Sequence, residues 1–132
     1  MSENIKSFKI VTNEISLTSN NLPEKAYTMK PYISRKIGNS INQPNKYGIE
    51  MEVVIKDEKT NRFPINLKVR ITGLFEIEGA TEENIKTFLK TQGTQMLYPY
   101  LRTLVSTITA GAFMPAITLP IIQYTDFVDT EI

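Results

Sequence analysis

Met96-Leu97-Tyr98-Pro99-Tyr100-Leu101-Arg102-Thr103-Leu104-Val105-Ser106-Thr107-Ile108-Thr109-Ala110-Gly111-Ala112-Phe113-Met114-Pro115-Ala116-Ile117-Thr118-Leu119 is the stretch on which the fold turns. Leu97, Leu101, Leu104, Val105, Ile108 and Ala112 recur at spacings of three and four, which predicts a helix with one apolar face. The helix should begin near Gln95 or Met96 and take Pro99 near its first turn, where a missing N–H is tolerated. Gly111 should stop it. From Met96 to Ala112 the only charge is Arg102, and the opposite face is small Ser and Thr. A helix so poor in charge is covered on both sides. The apolar face is expected to cover the chain's own sheet. Phe113 to Leu119 is apolar and, with Pro115, extended.

Upstream of this helix the pattern changes period. Ile49, Met51, Val53 and Ile55 alternate with Glu50, Glu52, Val54 and Lys56, and Ile65, Leu67, Val69 and Ile71 with Asn66, Lys68, Arg70 and Thr72. These are two strands of a hairpin joined by a turn at Asp57 to Arg62. Pairing Val53 with Leu67 and Met51 with Val69 sets Glu52 opposite Lys68 and Glu50 opposite Arg70, so apolar and charge patterns agree on that register. Gly73 then marks a bulge or a close backbone approach. Phe8 to Leu17 reads as a strand whose apolar parity switches, so a bulge is expected at Thr12-Asn13-Glu14. Tyr32 to Ile37 is a shorter strand, followed by a polar turn from Gly38 to Lys46.

Thr81 should cap a short helix from Glu82 to about Thr91, with Ile85, Phe88 and Leu89 inward and Gly93 ending it. After Pro120, Ile121 to Val128 is expected to form a strand-like piece and a helical turn or two capped by Asp126 or Thr125. Four strands followed by two helices is an α+β pattern, read as one domain over residues 1–132. The crossover from Thr18 to Met29 is irregular yet carries Leu22, Tyr27 and Met29, with Tyr32 and Ile33 following. These residues either plug the core locally or line a groove; by themselves they favour the plug.

The composition excludes much. The 132 residues carry a net charge of +1, which argues against broad attraction to nucleic acid or acidic membrane. No Cys is present, so there is no thiol chemistry; no His removes the commonest general base and metal ligand. Glu76 with Glu78, and Glu82 with Glu83, are acids without further ligands, and no phosphate loop or Ser–Lys pair appears, so neither an enzyme nor a cofactor is expected. Leu97 to Ile122 could span a bilayer by length, but Pro99, Pro115, Pro120 and Gly111 interrupt it. The start at Met1-Ser2-Glu3-Asn4 lacks an apolar signal, so a cytoplasmic location is expected.

Leu97-Tyr98-Pro99-Tyr100-Leu101-Arg102 resembles the Leu-aromatic-Pro-Tyr-x-Arg signature of SecB-type protein-export chaperones. Gly111-Ala112-Phe113-Met114-Pro115 and Leu119-Pro120-Ile121-Ile122 are similar to that family's Gly-x-Phe-Pro and Leu-x-Pro-Val/Ile segments, with Met114 as an extra residue. Gly73-Leu74-Phe75-Glu76-Ile77 matches its Gly-Ile-Phe-x-Ile strand. The resemblance implies a four-stranded antiparallel sheet with a long helix packed on one face and a short C-terminal helix. It also implies a homotetramer, built as a dimer of dimers, that binds unfolded polypeptides without ATP. The groove would take in Tyr27, Met29, Tyr32, Ile33, Phe113, Ile121, Phe127 and Val128, which turns the crossover reading from plug to groove. The subunit interface would use Leu67, Val69, Ile71, Tyr98, Leu101, Val105 and Ile108.

The sequence also departs from the family. Little follows Phe127, where better-known members carry a C-terminal helix and an acidic tail. The acidic outer sheet face through which the family meets the motor SecA retains Glu14 but has Thr18 and Lys68 at two of its acidic positions. That weakens SecA as a partner. A chaperone dedicated to one client, such as an antitoxin, and a structural oligomer that keeps the fold without clients both remain open.

Overall fold

A computed structural model describes residues 4–39 and 42–130. Ser40 and Ile41 of the expected Gly38–Lys46 turn, and Met1 to Glu3 of the polar start, lie outside the described residues.

Four long antiparallel strands form most of one sheet: β1 (Ile5–Ser19), β2 (Tyr32–Asn39), β3 (Lys46–Ile55) and β4 (Ile65–Ile77). A fifth, β5 (Val128–Asp129), pairs parallel with β2, giving the order β1-β4-β3-β2-β5. The architecture is α+β as expected, but the sheet is mixed and the C-terminal helix is reduced to a 3-10 turn, Tyr124–Asp126. Asp126 is not the cap of that turn. Gln123 is, with its N–H donating to Asp126 Oδ2 at 2.9 Å.

The bulge expected in β1 is present, as a register shift between Thr12 and Glu14. It returns Ile15 and Leu17 to the face already held by Phe8 and Ile10, opposite Val69 and Leu67. The β3–β4 register differs from expectation by two residues. Val53 pairs with Val69, Met51 with Ile71, Glu52 with Arg70 and Glu50 with Thr72. A slip of two leaves every side chain on its face, so the alternation fits both registers. The connecting loop decides between them. Asp57 Oδ1 accepts from Phe63 N (2.9 Å) and Arg62 Nε (2.7 Å), and Asn66 Oδ1 accepts from Asp57 N (2.8 Å).

Helix α1 (Glu82–Phe88) starts as predicted, with Asn84 N donating to Thr81 Oγ1 at 3.2 Å. Gly93 does not end it. A π-helical turn, Leu89–Gly93, runs straight into α2 (Thr94–Gly111), so Pro99 sits inside a continuous helix, deeper than its first turn. Gly93 serves a close approach: a Cβ there would lie 3.0 Å from Ile49 Cδ1. Gly73 does the same from the sheet side, where an added Cβ would meet Leu97 Cδ1 and Phe8 Cε1 at 3.2 Å, and its register is unbroken. These two missing side chains let α2 lie close on the sheet. Leu97, Leu101 and Val105 are then fully buried against Ile49, Met51, Val69 and Ile71.

Candidate functional site

Part of the small polar face of α2 is covered by the chain itself, while Thr103 and Thr107 stay exposed. Tyr98 Oη donates to Pro120 O (2.7 Å), Arg102 Nε to Leu119 O (3.1 Å) and Ser106 Oγ to Ile117 O (2.8 Å). Thr109 Oγ1 accepts from Ile117 N at 2.8 Å and donates back to Val105 O at 2.9 Å. The returning segment after Phe113 has no strand partner there, so α2 side chains satisfy its backbone. Leu119 is drawn fully into the core. The reversal itself falls at Phe113, whose φ is +61° and whose side chain is entirely exposed.

The segment ends in a latch. Arg35 stands on β2 between Ile33 and Ile37, in a parity that otherwise carries apolar residues, and is 4% exposed. Its guanidinium donates to both Asp129 carboxylate oxygens (Nε to Oδ1 2.7 Å, Nη2 to Oδ2 3.0 Å). Nη1 reaches Lys90 O (2.9 Å) and Thr94 Oγ1 (3.1 Å), groups presented by the π-helical turn and the start of α2. Breaking the helical register at Leu89–Gly93 supplies the carbonyl that this guanidinium uses. Phe127 packs edge-on against Tyr98 (5.4 Å between centroids), with the Arg35 guanidinium 5.3 Å from its ring. Hydrogen bonding to Arg35 holds the Asp129 carboxyl below its ordinary value, and burial raises the Tyr98 phenol.

Between β2 and the latched segment lies a groove of about 390 Å³. Pro31, Tyr32 and Ile33 line it from the β2 side with Val54, and Pro120, Ile122 and Val128 from the segment, while Ser34, Glu52 and Asp126 add polar groups to the lining. Tyr32 is 41% exposed and Val128 64%. Lys30 Nζ and Lys56 Nζ lie 5.7 and 5.4 Å from the Tyr32 ring, whose hydroxyl donates to Glu58 Oε1 at 3.0 Å. A smaller hollow of about 160 Å³ lies on the α2 side of the segment, between Tyr98, Arg102, Ile121 and Phe127.

Of the groove residues expected from the sequence, the structure brings together Tyr32, Ile33 and Val128. Ile121 and Phe127 line the smaller hollow, Ile121 largely exposed and Phe127 buried. Tyr27 and Met29 are half-buried against the core, Tyr27 edge-on to Phe63 at 6.4 Å with its hydroxyl bonded to Pro23 O. They plug the crossover locally. Phe113 projects into solvent and lines neither cavity. Ile122, Pro120 and Val54 are groove residues that the sequence did not place there, and Arg35 went unnoticed, although a cation in the apolar parity of a strand is the signal that marks it. The residues expected at the subunit interface are mostly enclosed within one chain. Leu67, Val69, Ile71, Leu101 and Val105 are at most 1% exposed and Tyr98 is buried, while Ile108 is half-buried.

The family model described as "Preprotein translocase subunit SecB" matches residues 2–130. The chain belongs to the SecB family. An uncharacterised protein of Methanocaldococcus jannaschii is 29% identical over 119 residues, covering 88% of this chain and 77% of that one. The protein-export protein SecB of Dichelobacter nodosus is 26% identical over 122 residues, covering 88% and 78%. The fold of this SecB-family chain is similar to that of the Mycobacterium tuberculosis SecB-like chaperone solved with a ChAD peptide from the HigA1 antitoxin. The TM-score is 0.71 at 17% identity, covering 90% of this chain and 89% of that one. Among the described residues, no helix is long and apolar enough to cross a membrane, and no three metal-ligating side chains cluster.

Proposed function

We propose that this SecB-family protein is an ATP-independent, non-enzymatic chaperone that holds non-native polypeptides in the groove between β2 and the latched C-terminal segment. The observation that carries the reading is the groove's chemistry. Exposed Tyr32 and Val128, with Ile122 and Pro120, offer apolar contact, and Ser34, Glu52 and Asp126 add polar groups beside it, a mixed surface that suits a binder of many sequences. Stoichiometric protein should suppress aggregation of a reduced or denatured model protein. No suppression at several-fold excess overturns the proposal.

A client-specific role, as for an antitoxin, is a second reading. It is favoured by the antitoxin peptide bound to the structural neighbour and by Thr18 and Lys68 on the face that would meet SecA. General export with SecA is the alternative. The setting proposed is cytoplasmic, as a single domain over residues 1–132.

Assembly as a dimer of dimers belongs to the same proposal. The interface would use surface that the chain leaves open. Tyr100, Leu104 and Ile108 recur every four residues on α2, and Phe8 of β1 meets Tyr100 edge-on at 6.2 Å, so this stripe lies toward β1. Tyr100 is 54% exposed and Ile15, on the same side of the sheet, 48%. A second copy would cover them. A monomeric mass by light scattering at micromolar concentration refutes the assembly.

A further inference from the structure

A concavity of about 470 Å³ lies on the outer face of the sheet, opposite α2. Its origin is legible in the register. One cross-strand row reads Lys9, Leu74, Gly48, Gly38, from β1 through β4 and β3 to β2. The row on one side reads Ser7, Glu76, Lys46, and the row on the other Val11, Thr72, Glu50, Lys36. Two adjacent glycines delete the side chains from two neighbouring strands. A trough is left, floored by their backbone and by Leu74, which is 36% exposed.

The fold does not require glycine at 48. Its φ is not positive, and a Cβ there would meet Thr72 Cγ2 at 3.6 Å and Leu74 Cδ2 at 3.8 Å, which is ordinary contact. At Gly73 and Gly93, by contrast, the added atom would come within 3.2 and 3.0 Å of its neighbours. Glycine inside a strand weakens it and often marks close approach of a ligand or another backbone. Keeping Gly48 keeps the trough open.

Three lysines and two glutamates, Glu50 and Glu76, line the trough. Lys9 closes one end, and Lys36 and Lys46 stand on opposite walls. Lys46 Nζ donates to Glu76 Oε2 at 3.1 Å. Glu50, the cross-strand partner of Lys36, instead approaches Arg70 Nε at 3.9 Å, and no ion pair within 4.0 Å joins Lys36 to Glu50 among the described residues. Both glutamates thus have a cation within 4.0 Å, while Lys9 and Lys36 have no ion pair within 4.0 Å among the described residues, and an apolar floor flanked by two such lysines matches one kind of partner.

We propose that this trough is a second docking site, separate from the client groove, for an extended acidic peptide segment. One apolar or aromatic side chain of the segment lies over Gly48 and Leu74, and flanking carboxylates meet Lys9 and Lys36.

The test is calorimetric titration of the full chain with acetyl-Glu-Glu-Phe-Glu-Glu-amide. Two controls accompany it, one with Lys replacing every Glu and one with Gly replacing Phe. The acidic aromatic peptide should bind, more weakly as salt rises, and both controls should bind at least tenfold more weakly. Lys9→Glu with Lys36→Glu should cost at least tenfold. Gly48→Val should abolish binding while the thermal midpoint holds or rises, with Gly48→Ala intermediate. Ile122→Ser with Val128→Ser, in the groove, should leave it unchanged. Absence of binding, equal binding of the lysine peptide, binding that survives Gly48→Val, or loss in the groove variant each overturns the proposal. Should Gly48→Val fail to fold, the lysine pair decides.

Discussion

The crossover between β1 and β2 and the return segment after α2 are alike in sequence: irregular, proline-bearing and dotted with apolar residues. Their fates differ. In the crossover Tyr27 and Met29 turn back on the core, Tyr27 bonds Pro23 O, and Asn61 Nδ2 donates to Thr28 O at 3.2 Å. In the return segment the polar face of α2 and Arg35 satisfy the backbone and its end. Ile121 and Val128 are then free to face solvent. An irregular segment held by its own apolar side chains has few left to offer a partner. One held through its backbone can present them.

The largest effect should come from breaking the latch. Arg35→Ala removes a buried guanidinium and leaves Lys90 O, Thr94 Oγ1 and Asp129 without it, at a cost of about 3 kcal/mol. Urea unfolding measures this, and amide exchange at Thr130, whose N–H donates to Arg35 O at 2.9 Å, should accelerate. A change below 1 kcal/mol would show that the return segment does not depend on Arg35. Thr109→Val should cost about 1–2 kcal/mol, since Ile117 N loses its acceptor.

Tyr27→Ala should lower stability by about 1–2 kcal/mol and leave aggregation suppression intact. Val128→Ser should do the reverse, with stability within about 0.5 kcal/mol and suppression reduced several-fold. If Tyr27→Ala alone abolished suppression, the contrast between plug and presenting segment would fail.

The smallest effect is in pH. Asp129 titrates below the ordinary aspartate value of about 3.9 because Arg35 hydrogen-bonds its charged form. A carboxyl depressed in the folded state contributes stability above its unfolded pKa and loses it as pH falls through the folded one. The latch should therefore hold unchanged from neutral pH to about pH 5 and weaken below about pH 4. Asp57, depressed by Arg62 and Phe63 N, acts in the same direction. In Asp129→Asn the acid-induced loss should be smaller; an unchanged acid profile would remove Asp129 from the account.

Much was legible without coordinates. The parity switch located the β1 bulge at Thr12-Asn13-Glu14, Thr81 marked the α1 start, and the 3.6-residue period gave the face of α2 that covers the sheet. Each is a local constraint, fixed by which neighbours along the chain share a face or a cap. The β3–β4 register was off by two because alternation has period two and cannot count pairs; the Asp57–Asn66 loop bonds do that. Gly93 read as a helix stop because its use, room for Ile49, is a contact across sequence. The same holds for Tyr32, Ile33 and Val128, which line one groove, and for Tyr27, Met29 and Phe113, which the fold sends elsewhere.

By itself, then, the sequence determined an α+β chain with a charge-poor helix on a sheet, and apolar groups in excess of what local structure needs. Only the tertiary structure decided what covers that helix's polar face and which apolar groups stay exposed. The physical reason lies in the backbone. Residues 117–120 need hydrogen-bond partners, and Ser106, Thr109, Arg102 and Tyr98 supply them only once the chain has folded back.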